Sequence, residues 1–372
     1  MADGRGGSGP CRGARAGLGG ADPGAGARGA PAETTADRAV TRVDIGVFAH
    51  NEAAGIAAMV AQLLAQDLAG LEARILILAN GCTDDTVARA RAAGQGAIAV
   101  VDLPLGGKSR TWNRFVHDLS RSEAEVLIFA DADILLPQPD ALRQMVAGLQ
   151  QAPALHVFNS RPVKDIVAQP EGLSVQDRLI AMAGGTLDDW RHAICGQLYA
   201  MPAARARAVH LPVGLPVEDG FLRAMVLTDG LTGAEDFSRI DGGTVFHIYA
   251  SERSIPALIR HQIRIVIGSA INVAVFETIR ARPVTERRQM LALAAGHDGW
   301  LAGVIRRQLP RWPYGFVPLH FLTKRSGNLL RAPRRLLHPK GLILLLAGFA
   351  FDAIVYVGAQ IRMARGTGAG HW

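Results

Sequence analysis

Asp131 and Asp133 stand one residue apart, directly after the apolar run VLIFA. A short apolar run bounded by polar residues reads as a buried strand, so both carboxylates open from its carboxyl end toward one crevice. Hard oxygen ligands, few in number, suit Mg²⁺ or Mn²⁺ bridging the phosphates of a substrate. The plain alternative is a chance pair of acids capping the next segment. A second pair, Glu218-Asp219, opens a run with helical spacing. A carboxylate there can take the proton of an attacking hydroxyl, or the two acids merely complement a helix dipole. Earlier apolar runs also end in polar clusters, His50-Asn51-Glu52 after VDIGVFA and Asn80-Gly81-Cys82-Thr83-Asp84 after RILILA. Lys108 follows Gly106-Gly107, but the phosphate-loop pattern is incomplete, because Asp102 stands where its first Gly belongs.

The elements that must position these residues alternate. Strands are expected at Val43–Ala49, Arg74–Ala79, Ala97–Val101 and Glu125–Ala130. Helices are expected from Glu52 to Gln66, from Thr83 with Asp84 and Asp85 in its first turn, and from Lys108 to Leu119. Short connections between them mean parallel βαβ units with right-handed crossovers. The result is a doubly wound, mostly parallel α/β sheet flanked by helices, binding ligands at the carboxyl ends of its strands. Further strands are expected at Ala154–Phe158, Gly196–Ala200 and Val245–Tyr249, and helices at Val217–Leu227 and Ile255–Ile279.

Read in order, FAHNEAAGI, ILANGCTDDT, GGKSRTWN and FADADILLPQPDAL resemble the nucleotide-sugar-binding half of family 2 glycosyltransferases, over residues 43–150 and more weakly through GLPVEDGFL to about 270. The resemblance implies the GT-A fold and an inverting, divalent-cation-dependent transfer of a sugar from a nucleotide-diphosphate donor. It implies that Asp131 contacts the donor, that Asp133 and Asp131 serve the metal, and that Asn51, Glu52 and Asn80 border the nucleoside pocket with Lys108 near it. It makes Asp219 the catalytic base and Glu218 its orienting neighbour. Arg264 either binds the diphosphate or pairs with a surface acid. His247, a late histidine of the kind some GT-A enzymes use on the metal, is expected instead to be a half-buried strand residue. Two positions depart from the family: Ala79 stands where an acid commonly precedes Asn-Gly, and HQIRI at 261–265 keeps only the Arg of the QxxRW signature. The first leaves the base preference open, and the second weakens processive synthesis. A sugar-nucleotidyltransferase would show a Gly-rich, basic phosphate loop after the first strand, which FAHNEAAG lacks. A non-catalytic relative is disfavoured by the intact acids.

Hydrophobic residues form 49% of the 372-residue chain and charged ones 20%, which suits a globular enzyme rather than a disordered chain. Cys11, Cys82 and Cys195 make neither a disulfide framework nor a CxxC zinc site, so a reducing compartment is expected. Residues 1–40 form a Gly/Ala-rich tail expected to be disordered, with no apolar core of a signal peptide. The catalytic domain is expected at 41–250, with its nucleotide-sugar half at 43–150 and its acceptor half at 151–250. A helical, basic region follows at 251–340, then an apolar helix at 341–360 and a tail at 361–372. From Leu301 to Ala350 there is no Asp or Glu, while Arg306, Arg307, Arg311, Lys324, Arg325, Arg331, Arg334, Arg335 and Lys340 fall there. Basic stretch and apolar helix together imply an anionic membrane surface as partner, on the cytoplasmic face, peripheral or spanning once, and no nucleic acid. Asp352, near the middle of that helix, would cost about 2.5–3.5 kcal/mol inside a bilayer. The expected acceptor is unknown, with lipid-linked and polysaccharide acceptors both open.

Overall fold

A computed structural model describes residues 40–172, 174, 190–309, 316–323 and 339–366, without the side chains of 339–344. The expected amino-terminal tail, Arg311, the basic residues at 324–335 and the side chain of Lys340 lie outside the described residues.

Apolar runs become strands where both faces are covered, as parallel strands between helix layers require. β1 (Thr41–Ala49) is buried over its last seven residues. Around it lie β2 (Leu71–Asn80), β3 (Ala99–Leu103) and β4 (Val126–Asp131), all parallel, in the order β3-β2-β1-β4. The connecting helices are α1 (Ile56–Leu64), α2 (Thr86–Gly94) and α3 (Lys108–Asn113), the last continuing through a π-helical turn at Arg114–Leu119. The sheet then extends through β7 (Leu198–Pro202), β6 (Val157–Lys164), β8 (Ile240–Tyr249) and the short β5 (Ile134–Leu135). β7 runs antiparallel to both neighbours, β6 and β8 pair in parallel, and β5 pairs antiparallel with β8. The outcome is the expected α/β arrangement, a mostly parallel sheet with helices on both faces.

α2 opens at Thr86 rather than Thr83. The reason is Asp84, whose Oδ1 accepts from the Thr86 amide at 3.0 Å and whose Oδ2 accepts from the Ala53 amide at 3.1 Å. Residues 81–85 are therefore a turn tied to the β1 loop, and the helix starts beyond it.

Each sheet face carries a core. On one side α1 and α4 (Ala141–Gln151) bury Ile56, Met59, Leu63, Leu142 and Met145 against Ile45, Ile77 and Ile128. On the other, Phe129 stacks between Trp112 and Tyr199, with ring centroids 5.5 and 4.7 Å away. The Trp112 indole donates to the Tyr199 hydroxyl at 3.0 Å, so the buried polar atoms of the stack are satisfied.

After two one-turn helices, α5 (Asp165–Ala168) and α6 (Ala203–Ala206), come α7 (Glu218–Leu227), α8 (Ile255–Arg280), α9 (Val284–Gly296), α10 (Trp300–Gln308) and α11 (Pro339–Ala364). α8 and α11 are both long and apolar enough to cross a membrane. α8 buries Ile263, Val266, Ile267, Ala270, Ile271, Ala274 and Val275 in the core of the domain, which accounts for its composition. α11 packs on α8 through one face only: Asp352, Val355, Ala359 and Met363 are buried, and Gly358 sits directly over Ile263. Asp352 thus faces protein rather than the opposite side of the helix.

Candidate active site

Asp131 ends β4 and Asp133 follows in the turn before β5, the first mostly buried and the second exposed. Lys108, first residue of α3, reaches across the strand ends to them. Its Nζ lies 2.6 Å from Asp131 Oδ1 and 2.8 Å from Oδ2, donates to the Gly196 carbonyl at 2.8 Å, and is 3.6 Å from Glu218 Oε1. Burial opposes its charge, yet Asp131, Glu218 and Asp219 together hold the ammonium well above the usual lysine range. Burial pushes Asp131 up to about 7, with Lys108 pulling the other way.

The second acidic pair arrives from the opposite side, on the first turn of α7. Asp219 Oδ1 accepts from the Gly220 amide at 2.7 Å. Burial first and then the Glu218 charge raise the Asp219 carboxyl to about 6, against the Gly220 hydrogen bond, Lys108 and Arg264, which act in the opposite direction. Two contacts from α8 seat this turn. The Asn272 side chain donates to the Val217 carbonyl at 2.9 Å, and Gly268 lets Val217 lie where a Cβ would meet its Cγ2 at 2.2 Å. Arg264, on the same helix, is exposed and directs its charge at Asp219.

Gly196 and Gln197, expected as the start of a strand, precede β7 and lie between the two pairs. Gly196 has φ +71° and would bring a Cβ to 3.3 Å from Asp219 Cβ, so both its backbone angle and its neighbour exclude a side chain. The Gln197 carbonyl accepts from the Asp131 amide at 2.8 Å, and its side-chain oxygen lies 3.1 Å from His247 Nε2. His247 is fully buried, with Nδ1 2.9 Å from Ser160 Oγ, and burial lowers it to about 4. Both ring nitrogens are engaged within the protein, as a strand histidine's would be.

The loops after β1 and β2 are laced together beside Asp133. Asn51, at φ +56°, accepts from the Thr83 amide at 2.8 Å. The Glu52 amide donates to Thr86 Oγ1 at 2.8 Å. The Glu52 carboxyl is raised, first by burial and then by the charges of Asp133 and Asp84. Asn80 is fully buried: its amide donates to the Ala49 carbonyl at 2.9 Å, and its oxygen accepts from the Gly107 amide at 3.2 Å. It therefore holds the α3 loop, and with it Lys108, against the end of β1.

Among the described residues no three His, Cys, Asp or Glu side chains converge as a protein-made metal centre. Asp133 does add its negative charge both to Glu52 and to Asp131, a repulsion that a cation would relieve. Such an arrangement fits a cation held mainly by substrate phosphates, the usual habit of Mg²⁺ with one or two protein carboxylates.

The family model for glycosyl transferase family 2 matches residues 44–192, a span that contains both strand-end clusters, Lys108 and both aspartates after β4. Over that span, 149 of the 372 residues, the chain is similar to that family, which supports enzyme activity as a glycosyltransferase. No curated protein matches the chain. Among solved structures it is similar to a mannosyltransferase from Pyrobaculum calidifontis in complex with GDP-Man and Mn²⁺, at 16% identity and TM-score 0.49, covering 89% of this chain and 90% of that one. It is also similar to glucosyl-3-phosphoglycerate synthase from Mycobacterium tuberculosis. With Mn²⁺, UDP-glucose and phosphoglyceric acid bound, that match has 18% identity and TM-score 0.45, over 64% of this chain and 80% of that one.

Proposed function

We propose that the enzyme transfers a sugar, with inversion, from a nucleotide-diphosphate donor to a hydroxyl acceptor, with Mg²⁺ or Mn²⁺ at the donor. The observation that carries this reading is the bridge that Lys108 makes between Asp131 at the end of β4 and Glu218 at the start of α7. On this reading donor and acceptor chemistry meet at a single ammonium.

The loops of Asn51, Glu52 and Asn80 border the nucleoside, with Asn80 acting through the backbone it ties. Asp133 and Asp131 would hold the cation, which supplies charge neutralisation for the departing diphosphate. Lys108 and Arg264 add fixed positive charge on the same side. Asp219 takes the acceptor's hydroxyl proton as the acceptor oxygen bonds to the anomeric carbon, and the bond from that carbon to the diphosphate oxygen breaks on the opposite face. A base raised to about 6 is still ionised at neutral pH while remaining a better proton acceptor than an ordinary aspartate. Glu218, beside Lys108, keeps a second negative charge next to that base. The donor is assigned to residues 43–150, and the acceptor to 151–250 together with the face of α8 that bears Arg264.

Proton NMR of a turnover mixture tests this. The new glycosidic bond is expected with the anomeric configuration opposite to the donor's, and one nucleoside diphosphate is released per bond formed. Retention of configuration would overturn the direct displacement and the role of Asp219. Membrane association, on the cytoplasmic face, belongs to the same reading and rests on the basic, acid-free sequence before α11.

A further inference from the structure

α11 carries two unlike faces. Asp352, Val355, Ala359 and Met363 point into the domain, while Leu346, Phe349, Ile354, Val357 and Ile361 are 43–62% exposed. At 3.6 residues per turn the exposed set falls within an arc of about 140°, opposite the buried set. A helix that crosses a bilayer meets lipid all round, or meets other spanning helices. This one instead packs one face on a helix of the catalytic core, and the acid Asp352 is on that face.

The neighbouring structure fastens it there. Gln360 Oε1 accepts from the Phe316 amide at 2.7 Å and the Val317 amide at 3.2 Å, and the Tyr356 hydroxyl donates to the Val317 carbonyl at 3.1 Å. The segment so held presents Leu319, 68% exposed, alongside. Arg365 is exposed just after the helix, and in the sequence no Asp or Glu occurs between Leu301 and Ala350.

We propose that α11 lies in the plane of an anionic bilayer as a monotopic anchor, and that it presents the acceptor side of the cleft to a lipid-borne acceptor. An apolar face flanked in sequence by basic, acid-free residues matches a surface of acyl chains under anionic headgroups. The link to the active site is α8. Ile263, beneath Gly358 of α11, and Arg264, whose charge acts on Asp219, are consecutive residues. They are about 1.5 Å apart along the helix axis and about 100° around it. Packed helices sit about 8–10 Å apart, so the anchor runs beside the turn that faces the base. An acceptor hydroxyl carried at headgroup level then needs no long excursion to reach Asp219. The acceptor class rests on the glycosyl-transfer reading above; the anchor does not.

The full-length protein is tested on preformed vesicles of phosphatidylcholine, with and without phosphatidylglycerol. Co-sedimentation is expected with the anionic vesicles. Leu346→Gln/Ile354→Gln/Val357→Gln, all on the exposed face, is expected to weaken partition roughly 100-fold, the worth of three half-buried aliphatic side chains. Mn²⁺-dependent donor binding is expected to be unchanged in that variant, which also reports that it folds. Equal partition of the variant overturns the anchor, as does a lipid-free dimer that the three substitutions dissociate. A carboxyl-terminal tag on membrane-bound protein is expected to be cleaved by protease from the same side as the catalytic domain. Protection of the tag there means a spanning helix and overturns the in-plane placement. With labelled donor and vesicles of extracted membrane lipid, label is expected in the chloroform-soluble fraction, and about tenfold or more is lost in the triple variant, in line with its weaker partition. If label enters only water-soluble products while vesicle binding persists, the lipid acceptor is wrong and the anchor stands. If Asp219→Asn leaves transfer intact, the catalytic reading fails by itself.

Discussion

Lys108 joins Asp131 at 2.6 Å, and the same ammonium is 3.6 Å from Glu218, so one cation serves the acids at the end of β4 and those at the start of α7. Lys108→Met leaves both carboxylates mostly buried without it. Breaking a buried pair by removing one partner costs about 3–5 kcal/mol, and some of this is expected in the melting temperature. Without the counter-ion, Asp131 is expected to bind protons more readily still, because burial already raises it to about 7. Donor affinity at neutral pH is then expected to fall and to recover partly as pH rises, which calorimetric titration against pH reads directly. Affinity equal to that of the unaltered enzyme at pH 7 would show that Lys108 is not this counter-ion.

Asp219→Asn is expected to leave donor binding nearly intact and to cut turnover roughly 10²–10⁴-fold, the usual contribution of a general base. Glu218→Gln is expected to cost less. The base works deprotonated, so kcat/KM is expected to rise with pH through about 6 and to fall below it, following the raised Asp219 carboxyl. An acid limb near the ordinary aspartate value, or a larger loss from Glu218→Gln, would move the base elsewhere.

Gly268→Ala places a Cβ 2.2 Å from Val217 Cγ2 and 3.2 Å from the Val217 amide nitrogen, so the backbone before Glu218-Asp219 must shift. Overpacking of this kind typically costs about 1–3 kcal/mol. Turnover is expected to fall with donor Kd unchanged, and Asn272→Ala, which removes the bond to the Val217 carbonyl, is expected to act the same way. A loss of donor affinity instead would mean that α8 supports the β1–β4 side of the cleft.

The alternating half of the fold was legible because β1, β2 and β4 are short apolar runs, each ending in polar residues, and α1 keeps a clear helical period. Glu218-Asp219 was legible because two acids open a helical run. Other features depend on where the chain returns. Asn80 looks like any turn asparagine, but only the fold shows it buried between Ala49 and Gly107. Gly196 becomes informative only once Asp219 lies against it. Thr83 resembled a cap, yet the tertiary bond from Ala53 to Asp84 delays α2 to Thr86. α8 and α11 share length and apolarity, and their difference lies in packing: more than half of α8 is buried against 17% of α11.

The most direct measurement is a titration of the purified protein with UDP-, GDP- and dTDP-sugars, with Mn²⁺ and with EDTA, followed by thermal shift. A ligand that binds only the folded state stabilises it by about 2.7 kcal/mol at a hundredfold excess over Kd. At least one donor is expected to raise the melting temperature with Mn²⁺ and not with EDTA, and Asp133→Asn is expected to abolish the difference. No stabilisation by any nucleotide sugar, or equal stabilisation in EDTA and in Asp133→Asn, would contradict a metal-bound donor at the end of β4.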